Sequence, residues 1–339
     1  MRVPPLIEAM LKREFYPHAP KEVQMVQTHI SWVFLADELV YKVKKPVNYG
    51  FLDFSTLEKR RFYCNREVEL NRRLSGDIYL GVVPIVLDDG VWRLGDDQEM
   101  EVASEYAVLM KRIPDRSLLQ NLIRKGKVPP NAMEMVAKVV AGFHSEAERS
   151  PEIAAFGTPE RFRVNTDENF SQTEEYIGVS ISREAYSLIK EKTEEFYASQ
   201  GTLMERRARE GRVVDCHGDL HSQHICLLDE EVVIFDCIEF NERFRYGDVA
   251  SEVAFLAMDL EFLMQHQLAA QFVDHYVEFS GDEELREMLP FYLCYRAYVR
   301  GKVESFRIHD ETAPFEERMN ALLRAQRFFF LAEKYAREM

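Results

Sequence analysis

The stretch Cys216-His217-Gly218-Asp219-Leu220-His221-Ser222-Gln223-His224-Ile225, continued by Val232-Val233-Ile234-Phe235-Asp236, decides the reading of this 339-residue chain. Short apolar runs are broken by polar residues, and a turn at Asp229-Glu230 separates the two parts. Such runs joined by a tight turn read as neighbouring strand-like segments. Twice an acidic residue follows an apolar run, first Asp219 and then Asp236. That order can bring two carboxylates to one site.

Phosphoryl transfer asks for such a pair: one carboxylate orients the attacking hydroxyl and another holds the magnesium that bridges the phosphates. The surroundings are organised accordingly. Upstream, residues 23–28, 30–35 and 39–44 read as strands, with a hairpin turn at Asp37-Glu38. A helix capped by Ser55 or Thr56 is predicted to run to about Leu74 and stop near Gly76. Residues 82–87 and 91–94 flank Asp88-Asp89-Gly90 as a second hairpin, and 106–110 is a buried strand. Beyond Pro114 the spacing turns helical, over 117–125, 131–148, 166–177, 182–208, 248–278, 283–308 and 313–337. The boundary therefore falls near residues 112–115. Residues 1–112 form a β-rich lobe with one main helix, and residues 113–339 form a larger helical lobe.

Composition sets the limits. Basic residues number 43 and acidic residues 58, for a net charge of -15. A phosphate backbone or an anionic bilayer repels such a chain, so neither nucleic acid nor membrane is expected as a partner. No run approaches the length of a membrane span. The five cysteines are scattered without a CxxC pair, and the first twenty residues lack the apolar run of a signal peptide. These features point to a cytoplasmic protein with reduced thiols.

The His217-Gly218-Asp219-Leu220 loop resembles the catalytic loop of aminoglycoside phosphotransferases and choline-kinase-like enzymes, within the protein-kinase-like superfamily. The resemblance covers roughly residues 23–307. It implies an α+β, two-lobed protein-kinase-like fold and transfer of the γ-phosphate of ATP, with Mg2+ or Mn2+, to the hydroxyl of a small molecule. It also implies roles by position. Asp219 is the catalytic base, with His217 beside it. Asp236 is the principal metal ligand. His224 stands where the loop of these enzymes carries Asn. Asp248 is a structural carboxylate that opens the next helix and accepts bonds from the catalytic-loop backbone. Lys42 is the phosphate-contacting lysine, with Lys44 on the same strand face as the alternative. Glu67 is the helix partner, with Glu69 as the alternative. Backbone groups from Met110 to Arg112 would meet the adenine edge.

Three departures mark the chain. The first strands are joined by Thr28-His29-Ile30-Ser31 instead of a glycine-rich loop, so His29 and Ser31 become the candidate phosphate contacts. His224 offers imidazole, which suits transition metals better than magnesium. No glycine follows Asp236, and Glu239 is a candidate replacement oxygen ligand. On the acceptor side, Arg296 and Arg300 share a helical face with Arg307 and suggest a neutral or anionic acceptor if that face looks into the site, or a solvated stripe if it does not. Two other functions fit parts of the pattern. One is a pseudokinase, a nucleotide- or partner-binding module without turnover. The other is a metal-dependent hydrolase built on His217, Asp219, His221 and His224.

Overall fold

The structure is a computed structural model that describes residues 4–229, 231–310 and 313–339. In chain order its first elements are α1 (Pro5–Met10), β1 (Val23–Gln27), β2 (Ser31–Ala36), β3 (Leu39–Lys44), α2 (Leu57–Ser75), β4 (Tyr79–Asp88), β5 (Val91–Leu94), β6 (Glu105–Lys111) and α3 (Leu119–Arg124). Next come α4 (Ala132–Glu146), α5 (Pro151–Ala155), α6 (Pro159–Thr173), α7 (Arg183–Arg209), β7 (Val213–Asp215), β8 (Ile225–Leu228) and β9 (Glu231–Ile234). The chain ends with α8 (Glu242–Arg245), β10 (Tyr246–Asp248), α9 (Val249–Phe262), α10 (His266–Ser280), α11 (Leu285–Ile308) and α12 (Phe315–Ala336). The chain divides into two compact units, one of Met1–Gly126 with His224–Glu242 and the other of Lys127–Gln223 with Arg243–Met339.

The first unit is built on an antiparallel sheet of order β1-β2-β3-β6-β4-β5. Its hairpins close where aspartate accepts the left-handed backbone: Asp37 has φ +55° between β2 and β3, and Asp89 has φ +46° before Gly90 between β4 and β5. One sheet face packs Phe34, Tyr41, Val43, Ile85 and Ala107 against Leu6, Ile7 and Met10 of α1. The other face carries Tyr106 and Val108, and covers them with Cys64 and Val68 of α2. The Thr56 hydroxyl caps α2 by accepting the Lys59 amide at 3.3 Å, and Gly76, at φ +53°, ends it. The β8-β9 hairpin returns late in the sequence and joins this unit, with a bridge between Cys226 and Leu118. Its turn passes through Asp229; Glu230, the other residue of the expected turn, lies outside the described residues.

The second unit is helical apart from the short β7-β10 pair. Its main core joins α7, α9, α11 and α12 through Ile189, Phe255, Met258, Tyr298, Phe328 and Phe329. A Cβ at Gly301 would stand 2.9 Å from the Phe329 ring, so glycine is what lets α11 and α12 approach there. Two helix expectations are corrected. The run 248–278 is two helices, because Met264 at φ +62° ends α9 and α10 restarts at His266. The helix expected at 166–177 starts earlier, at Pro159, where Thr158 supplies the cap and proline fits the first turn.

Candidate active site

In the first unit, β3 alternation carries Lys42 and Lys44 to the face that meets α2. Glu67 of α2 divides its carboxylate between them, with Oε1 2.8 Å from Lys42 Nζ and Oε2 2.7 Å from Lys44 Nζ. The second carboxylate on Lys42 is Asp236, at 2.7 Å. Lys44 donates in addition to Glu239. Two ammonium groups thus face three carboxylates. Glu69 instead pairs with Arg66 on the exposed side of α2.

The electrostatics follow from this grouping. Burial works against the Lys42 charge, yet Asp236 and Glu67 raise its pKa well above the usual lysine value. Lys44 is raised as well: burial opposes its charge, and Glu239 and Glu67 overcome that. Burial would lift Glu67, but Lys42 and Lys44 hold it below the ordinary glutamate range. Burial pushes Glu239 up, against the opposing ammonium of Lys44.

Exposure separates the two lysines. Lys44 is 1% exposed, and its ammonium also stands 4.7 Å from the Phe54 ring centroid. It has no open path to a phosphate, so its expected alternative role in phosphate contact is corrected to a buried one. Glu239, 7% exposed and paired with Lys44, is corrected in the same way: its carboxylate is committed inside the protein and not offered to a metal. The Asp236 side chain is 42% exposed and its backbone sits at φ +62°. The Asp236 amide donates to Tyr79 Oη at 3.3 Å and the Cys237 amide to Asn71 Oδ1 at 2.8 Å. His224 Nε2 lies 3.5 Å from Asp236 Oδ2, and its carbonyl accepts the Phe235 amide. An accessible carboxylate fits a hard divalent cation such as Mg2+. Asp236 is the residue that would hold one here.

The turn 28–31 is also rearranged. The Thr28 hydroxyl accepts the amides of Ile30 and Ser31, at 3.3 and 2.9 Å. Ser31 is fully buried, so its expected phosphate contact is corrected, while His29 is exposed. At the end of β6, Met110 pairs with Val40 on one side and Tyr79 on the other. The Arg112 amide donates to the Glu38 carbonyl at 2.8 Å, so it is spent within the protein and not held out to a purine edge.

In the second unit, the loop 216–223 is held by acids on α9. The Glu252 carboxylate accepts the His217 amide at 3.0 Å and the Gly218 amide at 2.6 Å. Asp259, two turns further along, accepts the Ser222 amide at 2.9 Å. Gly218 has φ +88°, a conformation that glycine takes without strain. The Asp219 side chain remains 31% exposed, with Oδ2 3.5 Å from His221 Nε2. His217 is 1% exposed, and its Nδ1 accepts the Asp219 amide at 3.3 Å. His221 Nδ1 accepts the Gln223 amide in the same manner. Through Nδ1 these two imidazoles organise the loop.

Glu252 has a further partner. His144 Nε2 lies 2.8 Å from it, and His144 Nδ1 lies 2.8 Å from the Tyr276 hydroxyl. An ionised carboxylate only accepts, so His144 Nε2 carries a proton toward Glu252. Burial alone would raise the Glu252 pKa, but His144 and the His217 amide hold it at about 2. A depressed folded pKa means stability that is present above the unfolded value near 4.5 and is lost as pH falls toward 2. The contribution at neutral pH is roughly 3 kcal/mol. Glu252→Gln is therefore expected to be less stable than wild type at pH 7. In urea titrations the gap narrows as pH falls from about 4.5 toward 2; parallel curves over that range would remove this role.

The loop contact expected of Asp248 is corrected by the same geometry. Asp248 caps α9 by accepting the Ala250 amide and pairs with buried Arg207; the loop amides go to Glu252 instead. Arg296 does not form a solvated stripe. Its Nε donates to the Ser251 carbonyl and hydroxyl, both at 3.1 Å, and Nη1 reaches the Gly218 carbonyl at 3.3 Å. Arg300 lies over the Phe328 ring at 5.6 Å. Arg296 is thus corrected from an acceptor candidate to a brace of the loop. Glu252, Asp259 and this use of Arg296 escaped the sequence reading. The available signal was Glu252 and Asp259, two buried acids seven residues apart in the mostly apolar helix VASEVAFLAMDLEF.

The model of a family described as "Phosphotransferase enzyme family" matches residues 62–291. An uncharacterized protein of Mycobacterium tuberculosis is 34% identical over 285 residues, which are 84% of this chain and 55% of the relative. The chain thus spans about half the length of the curated relatives it matches. Among solved structures, a choline kinase from Cryptosporidium parvum aligns with TM-score 0.57 at 12% identity, over 98% of this chain and 95% of the other. An amicoumacin kinase in complex with AMP-PNP, Ca2+ and Ami aligns with TM-score 0.54 at 13% identity, over 97% and 92%. At these identities the likeness bears on the fold, which is α+β and protein-kinase-like, with an antiparallel β-rich unit and a helical one. No helix among the described residues is long and apolar enough to cross a membrane.

Proposed function

Because the chain belongs to the phosphotransferase enzyme family, we propose that it moves the γ-phosphate of ATP to a hydroxyl of a small metabolite. The observation that carries this reading is Lys42, held between Glu67 of α2 and the accessible Asp236. Lysine fixed by a helix glutamate beside a metal-binding aspartate is the arrangement a kinase uses to receive a metal-bound nucleotide. Lys42, Glu67 and Asp236 belong to the first unit, and the loop that carries Asp219 belongs to the second.

Lys42 neutralises and positions the phosphates. Asp236 holds the divalent cation, Mg2+ or Mn2+, which when bound offsets the charge of the phosphoryl group. Asp219 orients the acceptor hydroxyl and takes its proton, on a loop whose backbone is fixed by Glu252 and Asp259. Fixing that loop before substrate arrives leaves less reorganisation for the chemical step. The five cysteines are buried free thiols, which accords with a reducing, cytoplasmic setting.

Thermal denaturation with ATP and Mg2+ tests the reading. At a hundred times its Kd the nucleotide is expected to add about 2.7 kcal/mol of stability. Asp236→Ala is expected to lose most of the part that depends on metal. No stabilisation of wild type by ATP, with either Mg2+ or Mn2+, would reject a nucleotide site. A screen of hydroxylated metabolites for ADP release then identifies the acceptor and separates a working kinase from a pseudokinase.

A further inference from the structure

The active site contains one lysine more than phosphate binding requires. Glu67 alone would suffice to orient Lys42, yet its second oxygen is given to Lys44, and Lys44 reaches on to Glu239. Glu239 lies three residues past Asp236, in a segment with no strand or helix hydrogen bonding. What ties that segment down is side chains. Tyr79 takes the Asp236 amide, Asn71 takes the Cys237 amide, and Lys44 takes the Glu239 carboxylate.

We propose that Lys44 and Glu239 are a positioning pair that locks residues 236–239 against β3 and so sets the place and orientation of Asp236. This rests on the nucleotide-site reading given above. The two lysines then divide the work. Lys42, partly open, can turn toward phosphate, and Asp236, accessible, can turn toward a metal. When both do so, Lys44 still bridges Glu67 and Glu239. The frame therefore survives the arrival of the ligand, because its central cation is sealed from it at 1% exposure. A glycine after the metal-binding aspartate would leave this segment free to swing. Here Cys237 follows, and the ion pair pins the segment from its far end.

The test measures metal binding directly, apart from turnover. Mn2+ affinity is read by electron paramagnetic resonance in the presence of AMP-PNP, and AMP-PNP affinity without metal by calorimetry. Partners that orient a ligating carboxylate are worth about 10- to 100-fold in metal affinity. Glu239→Gln, nearly isosteric, is expected to weaken Mn2+ by about 10-fold or more and to change metal-free AMP-PNP binding by less than about 2-fold. Lys44→Arg keeps the charge and is expected to stay within about 3-fold of wild type for Mn2+. Lys42→Met is expected to behave oppositely to Glu239→Gln, losing metal-free AMP-PNP binding. If Glu239→Gln does not fold, Lys44→Met/Glu239→Met removes both charges together and is expected to show the same Mn2+ loss.

Unchanged Mn2+ affinity in folded Glu239→Gln or the double variant overturns the positioning pair and leaves the nucleotide site standing. Equal loss of metal-free AMP-PNP in Lys44→Met and Lys42→Met overturns the division of labour between the lysines. A wild-type protein that binds neither AMP-PNP nor its Mn2+ complex overturns both this inference and the reading beneath it.

Discussion

Asp219→Ala is expected to lower phosphotransfer by about 10²- to 10⁴-fold while leaving ATP binding and the melting temperature close to wild type. The size comes from the task. An alcohol is a poor nucleophile until its proton is drawn away, and a positioned carboxylate does this in the transition state. The sparing of stability comes from the geometry. The loop is held by its backbone: Glu252 takes the amides of His217 and Gly218, Asp259 takes Ser222, and Arg296 reaches the Gly218 carbonyl. The Asp219 side chain carries none of those bonds and is 31% exposed. Truncating it removes the carboxylate beside His221 and leaves the backbone bonds that hold the loop in place. The measurement is ADP release with an accepted metabolite, beside ATP affinity by calorimetry and a melting curve. Full turnover in Asp219→Ala would remove the base from this residue. Loss of turnover together with the fold would show that the loop depends on the side chain after all.

What the sequence revealed and what it hid divide along physical lines. Hairpins were legible because Asp37-Glu38 and Asp89-Gly90 carry their turn chemistry locally, and the neighbouring runs alternate. Both ends of α2 were legible for the same reason, since Thr56 marks its start and Gly76 its end. The meeting of Lys42, Glu67 and Asp236 could be anticipated only through resemblance, because their contacts span up to 194 residues of chain. Lys44 and Glu239 were read as ligand-binding groups because both are charged and lie near the motif. Charge does not report which way a side chain faces, and these two face each other inside the protein. The break at Met264 left no trace, because methionine has no preference of its own for positive φ; the backbone bonds from the amides of Met264 and Gln265 to the carbonyls of Glu261 and Leu260 close the helix there. Glu252 and Asp259 looked like ordinary helix charges until the loop amides appeared opposite them. An acid within a helix buried all round is worth reading as a bond to something unseen.

The same logic applies below the loop, where α9 begins. Arg207 of α7 is fully buried between two aspartates. It donates to Asp248 through Nε and Nη2 and to Asp282 through Nη1 and Nη2, all at 2.8 Å. Asp248 also caps α9 by accepting the Ala250 amide. Arg207→Met is expected to cost about 3–5 kcal/mol, because it strands two carboxylates in a place water does not reach. The loss should be smaller in Arg207→Met/Asp248→Asn/Asp282→Asn, in which no charge is left unpaired and asparagine still caps the helix. Denaturant titrations of the two variants at pH 7 decide the matter. A single variant within about 1 kcal/mol of wild type would mean the aspartates find other partners. A triple variant worse than the single one would mean the bidentate geometry, and not the stranded charge, is what α9 needs. In either case the consequence reaches the active loop, for the helix that Asp248 starts is the one that carries Glu252 and Asp259.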